Sequence, residues 1–252
     1  MPAPLVPSEL QPTLAELLKN VRHILGDQFI GLYLGGSLAS GDFNPTSSDI
    51  DFTVVTTREV SPDVLPALQA LHVRLASESK WGAKLEGAYV PLAAFRRYDP
   101  AHSHYPNVSV GGHCAIEGHG SNEVIQLWTL REHGVALAGP DPKTLIDPVP
   151  PDALRRAVRG ILDEWWRPIA IDPFRLVSRE YQAYATLTMC RMRYTLAHGE
   201  IASKPVAAQW AQTALDARWA GLIERALAWP HDGTSDEVDR GETLAFIRAA
   251  LE

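Results

Sequence analysis

Two short segments carry the residue types that can do chemistry. Gly35-Gly36-Ser37 is followed, after eleven residues, by Asp49-Ile50-Asp51. Glycine has no Cβ, so a Gly-Gly-Ser turn lets backbone approach a ligand closely. A helix opening at Ser37 would aim free N–H groups and its positive end at an anion, and the hydroxyl adds a donor. Asp49 and Asp51 stand two apart in a β-type run, so alternation turns both carboxylates to one face. Two like charges on one face are unfavourable unless a cation sits with them. Mg²⁺ suits such a place, because it takes one or two carboxylates and completes its shell with water and substrate phosphates. A phosphate cradle beside paired carboxylates predicts metal-assisted phosphoryl or nucleotidyl transfer.

The flanking elements must place these residues. Leu10, Leu14, Leu17, Leu18, Val21 and Leu25 have helical spacing over residues 8–24, with Ser8 as N-cap and Gly26 as stop. Residues 29–34 read as a short buried strand that ends at the glycines. Residues 49–56 alternate and are β-branched, which predicts a second strand carrying both aspartates. A helix is expected over 61–76, a third strand over 84–90 and a helix over 122–133, while residues 97–120 read as irregular. The densest cluster of breakers runs from Gly139 to Pro151, and beyond it only helical patterns appear: 151–166, 179–198, 203–229 with a break near Leu215, and 235–251. The expectation is an α+β chain with a mixed α/β domain over 1–149 and an all-helical bundle over 150–252.

Composition narrows the function classes. The 252 residues are 46% apolar and 21% charged, an ordinary globular balance with enough chain for a sizeable core. The 23 basic and 30 acidic side chains give a net charge of −7. An acidic chain argues against a nucleic-acid backbone as partner and is compatible with a metal ion or a cationic substrate. No apolar run reaches the ~20 residues of a membrane helix, and the N-terminus has no basic region leading into an apolar stretch, so a cytoplasmic protein is expected. The two cysteines, Cys114 and Cys190, match no zinc or redox spacing. His102, His104, His113 and His119, with Cys114 and Glu117, form a second metal candidate, but the His-x-x-x-His spacing of a zinc helix is absent.

The Gly-Ser, spacer, Asp-x-Asp pattern resembles the polymerase-β type of nucleotidyltransferase. That resemblance implies a small mixed sheet flanked by helices and a third carboxylate on a neighbouring strand, for which Glu86 in Leu85-Glu86-Gly87 is the candidate. Three further stretches, residues 131–150, 187–194 and 199–210, look like the aminoglycoside adenylyltransferases that modify streptomycin and spectinomycin. The likeness implies that Gly36 and Ser37 bind a phosphate of ATP, that Asp49, Asp51 and Glu86 hold Mg²⁺, and that Glu86 is the catalytic base. It also implies that Arg191 and Lys204 contact ATP phosphates and that Trp229 packs on the nucleotide. The acceptor-binding positions do not carry over: Tyr181 stands where an Asp is expected. Trp165, Asp172, Glu180 and Tyr181 remain as an acidic, aromatic acceptor pocket for a small cationic hydroxylated substrate. The competing reading puts Trp165 and Trp166 in the core of a helical bundle. A protein or RNA acceptor, and an inactive nucleotide-binding module, are the alternatives to an antibiotic-modifying enzyme.

Overall fold

The computed structural model describes residues 6–41, 43–46, 48–229 and 237–252. It divides into two compact units, Met1–Pro148 and Val149–Glu252.

Unit 1 is built on a six-stranded sheet of β1 (Phe29–Leu34), β2 (Ile50–Thr56), β3 (Leu85–Pro91), β4 (His104–Ser109), β5 (His113–Gly118) and β6 (Val135–Ala138), in the order β5-β4-β3-β2-β1-β6. Only β2 and β3 run parallel; the remaining neighbours are antiparallel. The parallel pair needs a crossover, and α3 (Leu65–Glu78) supplies it. The first helix is α1 (Gln11–Leu25), and α2 (Gly36–Ser40), α4 (Leu92–Arg96), α5 (Asn122–His133) and α6 (Pro142–Leu145) complete the unit.

Strand alternation assigns two cores to the two sheet faces. Leu32, Leu34, Ile50, Phe52, Val54, Leu85, Tyr89 and Val108 pack with Leu14, Leu17 and Val21 of α1 and Leu68, Leu71 and Leu75 of α3. The opposite face sends Tyr33, Val55, Val90 and Tyr105 to Phe95 of α4 and to Leu127 and Leu130 of α5. Since Ile50 and Phe52 point into the first core, Asp51 between them points to the second face.

Unit 2 is helical: α7 (Pro151–Ile161), a π-helical turn over Leu162–Trp166, α8 (Arg167–Ile171), α9 (Arg179–His198), α10 (Lys204–Ala214), α11 (Ala220–Leu227) and α12 (Glu237–Ala250). The twenty-residue α9 is the centre, packed against α7, α10, α11 and α12. Ser178 caps it by accepting from the Tyr181 N–H at 3.2 Å, and Gly199 stops it in the left-handed region.

Several expectations need correction. Residues 97–120 are not irregular, because they contain the β4–β5 hairpin. Pro106 and the exposed His104 and His113 hid its alternation. Strand β6 was not expected. Ser8 does not cap α1; the helix opens at Gln11 with Pro12 in its first turn, and the Ser8 carbonyl accepts from Gln11. Helix α3 opens at Leu65, later than expected, again with a proline, Pro66, in its first turn. The run 203–229 is three pieces, α10, a 3₁₀ turn over Ala217–Trp219, and α11. The start of the last expected helix, at Ser235, lies outside the described residues.

Candidate active site

Strand β1 ends at Leu34, but its pairing continues for one more residue: the Gly35 N–H donates to the Asp51 carbonyl at 3.0 Å. Gly36 follows with φ +52° and opens α2. A Cβ at this position would overlap the Asp51 carboxylate. The bare glycine is therefore what lets the Asp51 side chain lie against the turn. Ser37 is half-buried, and its carbonyl accepts from Gly41, which closes α2 with φ +79°.

On the other side of β2, Asp51 is the register partner of Glu86 in the parallel β2–β3 ladder. Partners in register share a sheet face, so Gly35, Asp51 and Glu86 form one row across three strands. Asp49 lies one residue before the first residue of β2, at the mouth of that row rather than within the strand. Glu86 keeps an exposed edge, yet its carboxyl is pushed up to about 7. Burial against the sheet is the largest cause, followed by the negative charges of Asp51 and Asp49. A carboxyl brought to that range is matched to accepting a proton near neutral pH.

Among the described residues no three His, Cys, Asp or Glu side chains gather into a set that could hold a metal ion by themselves. The row fits Mg²⁺ in the ion's other mode, with one or two carboxylates and the remaining oxygens from water and phosphate. Besides burial, the negative charges of Asp51 and Asp49 raise Glu86, and that part is the electrostatic condition a cation would relieve. The histidine-rich segment is brought into no such cluster. His104 and His113 stand exposed at opposite ends of the hairpin, and Cys114 is buried in the first core. His119 stacks on Tyr105 at 3.8 Å between ring centroids, with Nδ1 3.3 Å from Glu123.

In unit 2, Arg191 lies on α9 and its Nε donates to the Ala202 carbonyl at 3.1 Å, two residues before Lys204 opens α10. The Lys204 ammonium is 6.0 Å from the centre of the Tyr184 ring. Trp229 is buried, with the Arg179 guanidinium over its ring at 4.2 Å. The two adjacent tryptophans part company: Trp166 is core and Trp165 is exposed beneath Arg175. Asp172 and Glu180 are exposed at the end of α8 and the start of α9. Tyr181 is half-buried and turns its ring to Trp166 and Tyr184. Sequence reasoning gave no role to Lys84, treated below.

Both halves of the chain match known families. Residues 14–105 match the nucleotidyltransferase domain family, and residues 144–249 match the family described as aminoglycoside adenylyltransferase, C-terminal domain. The chain belongs to the aminoglycoside adenylyltransferase family, within the nucleotidyltransferase superfamily. It is an enzyme of the transferase class. The chain is 24% identical to a spectinomycin 9-adenylyltransferase of Campylobacter jejuni, over 95% of this chain and 92% of the relative. It is 28% identical to an aminoglycoside (3'') (9) adenylyltransferase of Escherichia coli, over 87% and 84%. A crystal structure of a spectinomycin adenyltransferase from Enterococcus, with ATP and spectinomycin, shares the fold with a TM-score of 0.71 at 17% identity, covering 96% of this chain and 98% of that one. No described helix is long and apolar enough to cross a membrane.

Proposed function

We propose that this adenylyltransferase-family enzyme moves AMP from ATP to a hydroxyl of an aminoglycoside or aminocyclitol antibiotic. The observation that carries the reading is the row Gly35, Asp51, Glu86, which sets a glycine turn, an aspartate and a carboxyl raised to about 7 on one sheet face. The named activities of the Campylobacter and Escherichia relatives support the acceptor class.

The residue roles follow the motif positions. Gly36 and Ser37 take a phosphate of ATP. Asp49 and Asp51, with Glu86 beside them, would hold Mg²⁺, which supplies charge neutralisation at the phosphates when bound. Glu86 accepts the proton of the acceptor hydroxyl as its oxygen bonds to the α-phosphorus. The bond from that phosphorus to the bridging oxygen breaks in line, and pyrophosphate leaves with the electron pair. Arg191 and Lys204 are assigned to the ATP phosphates, and Trp229 to the nucleotide. Trp165, Asp172, Glu180 and Tyr181 are assigned to a cationic acceptor, which carboxylates and ring faces attract.

The test is pyrophosphate release with ATP and Mg²⁺ against streptomycin, spectinomycin and other aminocyclitols, with mass spectrometry of the product. An antibiotic heavier by one AMP is expected. Release no faster with any of them than without an acceptor rejects the assignment.

A further inference from the structure

Lys84 sits in the 3₁₀ turn Gly82–Lys84, immediately before β3 and two residues before Glu86. Its ammonium donates to three backbone carbonyls of a single loop: Pro45 at 3.0 Å, Thr46 at 2.9 Å and Ser48 at 3.1 Å. An ammonium has three N–H donors, so this loop takes all of them. The loop is the connection between the glycine-serine turn and Asp49. It is folded on itself as well: Asn44 N–H donates to Ser48 Oγ, Ser48 N–H to the Asn44 carbonyl, and Thr46 N–H to Asn44 Oδ1.

Convergence of three carbonyls on one point is electrostatically unfavourable without a cation at that point. Lys84 is that cation. Because it belongs to β3's leading turn, it fixes the chain just before Asp49 to the strand that carries Glu86. Asp51 is already held by the β1–β2–β3 ladder, whereas Asp49 lies outside it. We infer that Lys84 is a positioning residue, which sets Asp49 against Asp51 and Glu86 by gripping the carbonyls of Pro45, Thr46 and Ser48. The inference rests on the proposal that these carboxylates bind the divalent ion.

Replacing the ammonium while keeping the stem, Lys84→Met, tests it. The readouts are Mn²⁺ affinity of the ATP-free protein by electron paramagnetic resonance, amide hydrogen exchange, thermal midpoint and adenylyl-transfer kinetics. Faster exchange over residues 43–51 is expected, with Mn²⁺ binding and kcat each weakened ~10-fold, the size typical of lost outer supports of a metal site. KM for the acceptor and the thermal midpoint should stay near wild type. Lys84→Arg keeps the charge but presents a planar fork instead of a tripod, so a smaller loss in the same quantities is expected, and this variant decides the matter if the methionine protein does not fold. Unchanged Mn²⁺ affinity and kcat, with faster loop exchange, overturn the inference and leave Lys84 a loop anchor. A wild-type protein that binds no Mn²⁺ overturns the metal reading itself, and the positioning role with it.

Discussion

Asp51 and Glu86 face each other across the single parallel strand pair of the sheet. They lie near the starts of the two strands that α3 joins, so their meeting depends on that crossover placing β3 beside β2 in this register. A slip of one residue would turn one carboxylate to the opposite face, into the core of Phe52 and Tyr89. The chemistry proposed here is thereby tied to the packing of α3 on the sheet.

Glu86→Gln should reduce adenylyl transfer by ~10²–10⁴-fold, the usual worth of a positioned general base. ATP binding, measured by calorimetry, should remain within a few-fold of wild type. Full transfer activity in this variant would remove Glu86 from the reaction.

The same substitution has a stability signature. The folded-state pKa of Glu86 is raised to about 7 from an ordinary value of 4.5. Between those two values the unfolded chain has lost the proton that the folded chain retains, so stability falls as pH rises through this window. In metal-free buffer, Glu86→Gln should therefore melt above wild type at pH 8 and at the same temperature near pH 4. Coincident midpoints at both pH values would show that the carboxyl is not strained by its setting.

Gly36→Ala puts a methyl group on the Asp51 carboxylate and forces alanine into φ +52°. The conformational cost alone is ~1–2 kcal/mol. Asp51 must also move, so transfer should be lost even where the fold survives. Circular dichroism melting with a pyrophosphate assay separates the two effects. An active, stable alanine variant would contradict the contact.

Part of the row was legible in the sequence from local rules: the glycines end an apolar strand, and the aspartates alternate at the head of a β-branched run. Glu86 follows no such rule and was reached only through the resemblance to nucleotidyltransferases, because its place beside Asp51 depends on the β2–β3 pairing. What stayed hidden depends on contacts between distant segments. The β4–β5 hairpin carries Pro106 and exposed His104 and His113, and only its pairing with β3 makes a strand of it. Lys84 reads as the polar start of a strand, since nothing local shows that a loop 36 to 39 residues earlier aims three carbonyls at it. The adjacent Trp165 and Trp166 have the same residue type, and the π-helical turn over Leu162–Trp166 holds one outside and one inside.

His72 offers a second pH test, away from the site. It is buried on α3, with its Nε2 2.8 Å from the Tyr89 hydroxyl and its ring stacked on Phe52. Burial lowers its pKa to about 4 from 6.5. The unfolded chain binds the extra proton first on acidification, so stability is full above 6.5 and drains as pH falls toward 4, by up to roughly 3 kcal/mol. Urea unfolding at pH 7.5 and pH 4.5 should show this loss in wild type and a reduced loss in His72→Gln. Equal losses in both proteins would assign the acid sensitivity elsewhere.

In unit 2, the Asp239 carboxylate accepts from Arg225 Nε at 2.8 Å and lies 3.4 Å from Arg179 Nη2. Arg225 also pairs with Glu242, and Arg179 covers the Trp229 ring. Asp239 is thus the shared anion that holds α12 to α9 and α11 and sets the guanidinium on the tryptophan. Asp239→Ala leaves both arginines without that anion, and removing one member of a buried pair costs ~3–5 kcal/mol. The exposed flank of Arg225 lets water recover part of this, so ~2 kcal/mol is expected. Release of Arg179 from the indole should change the Trp229 emission, read against a Trp229→Phe background. An Asp239→Ala protein with wild-type stability and emission would show that α12 is held to the bundle by its apolar face, Phe246 and Ile247, without this network.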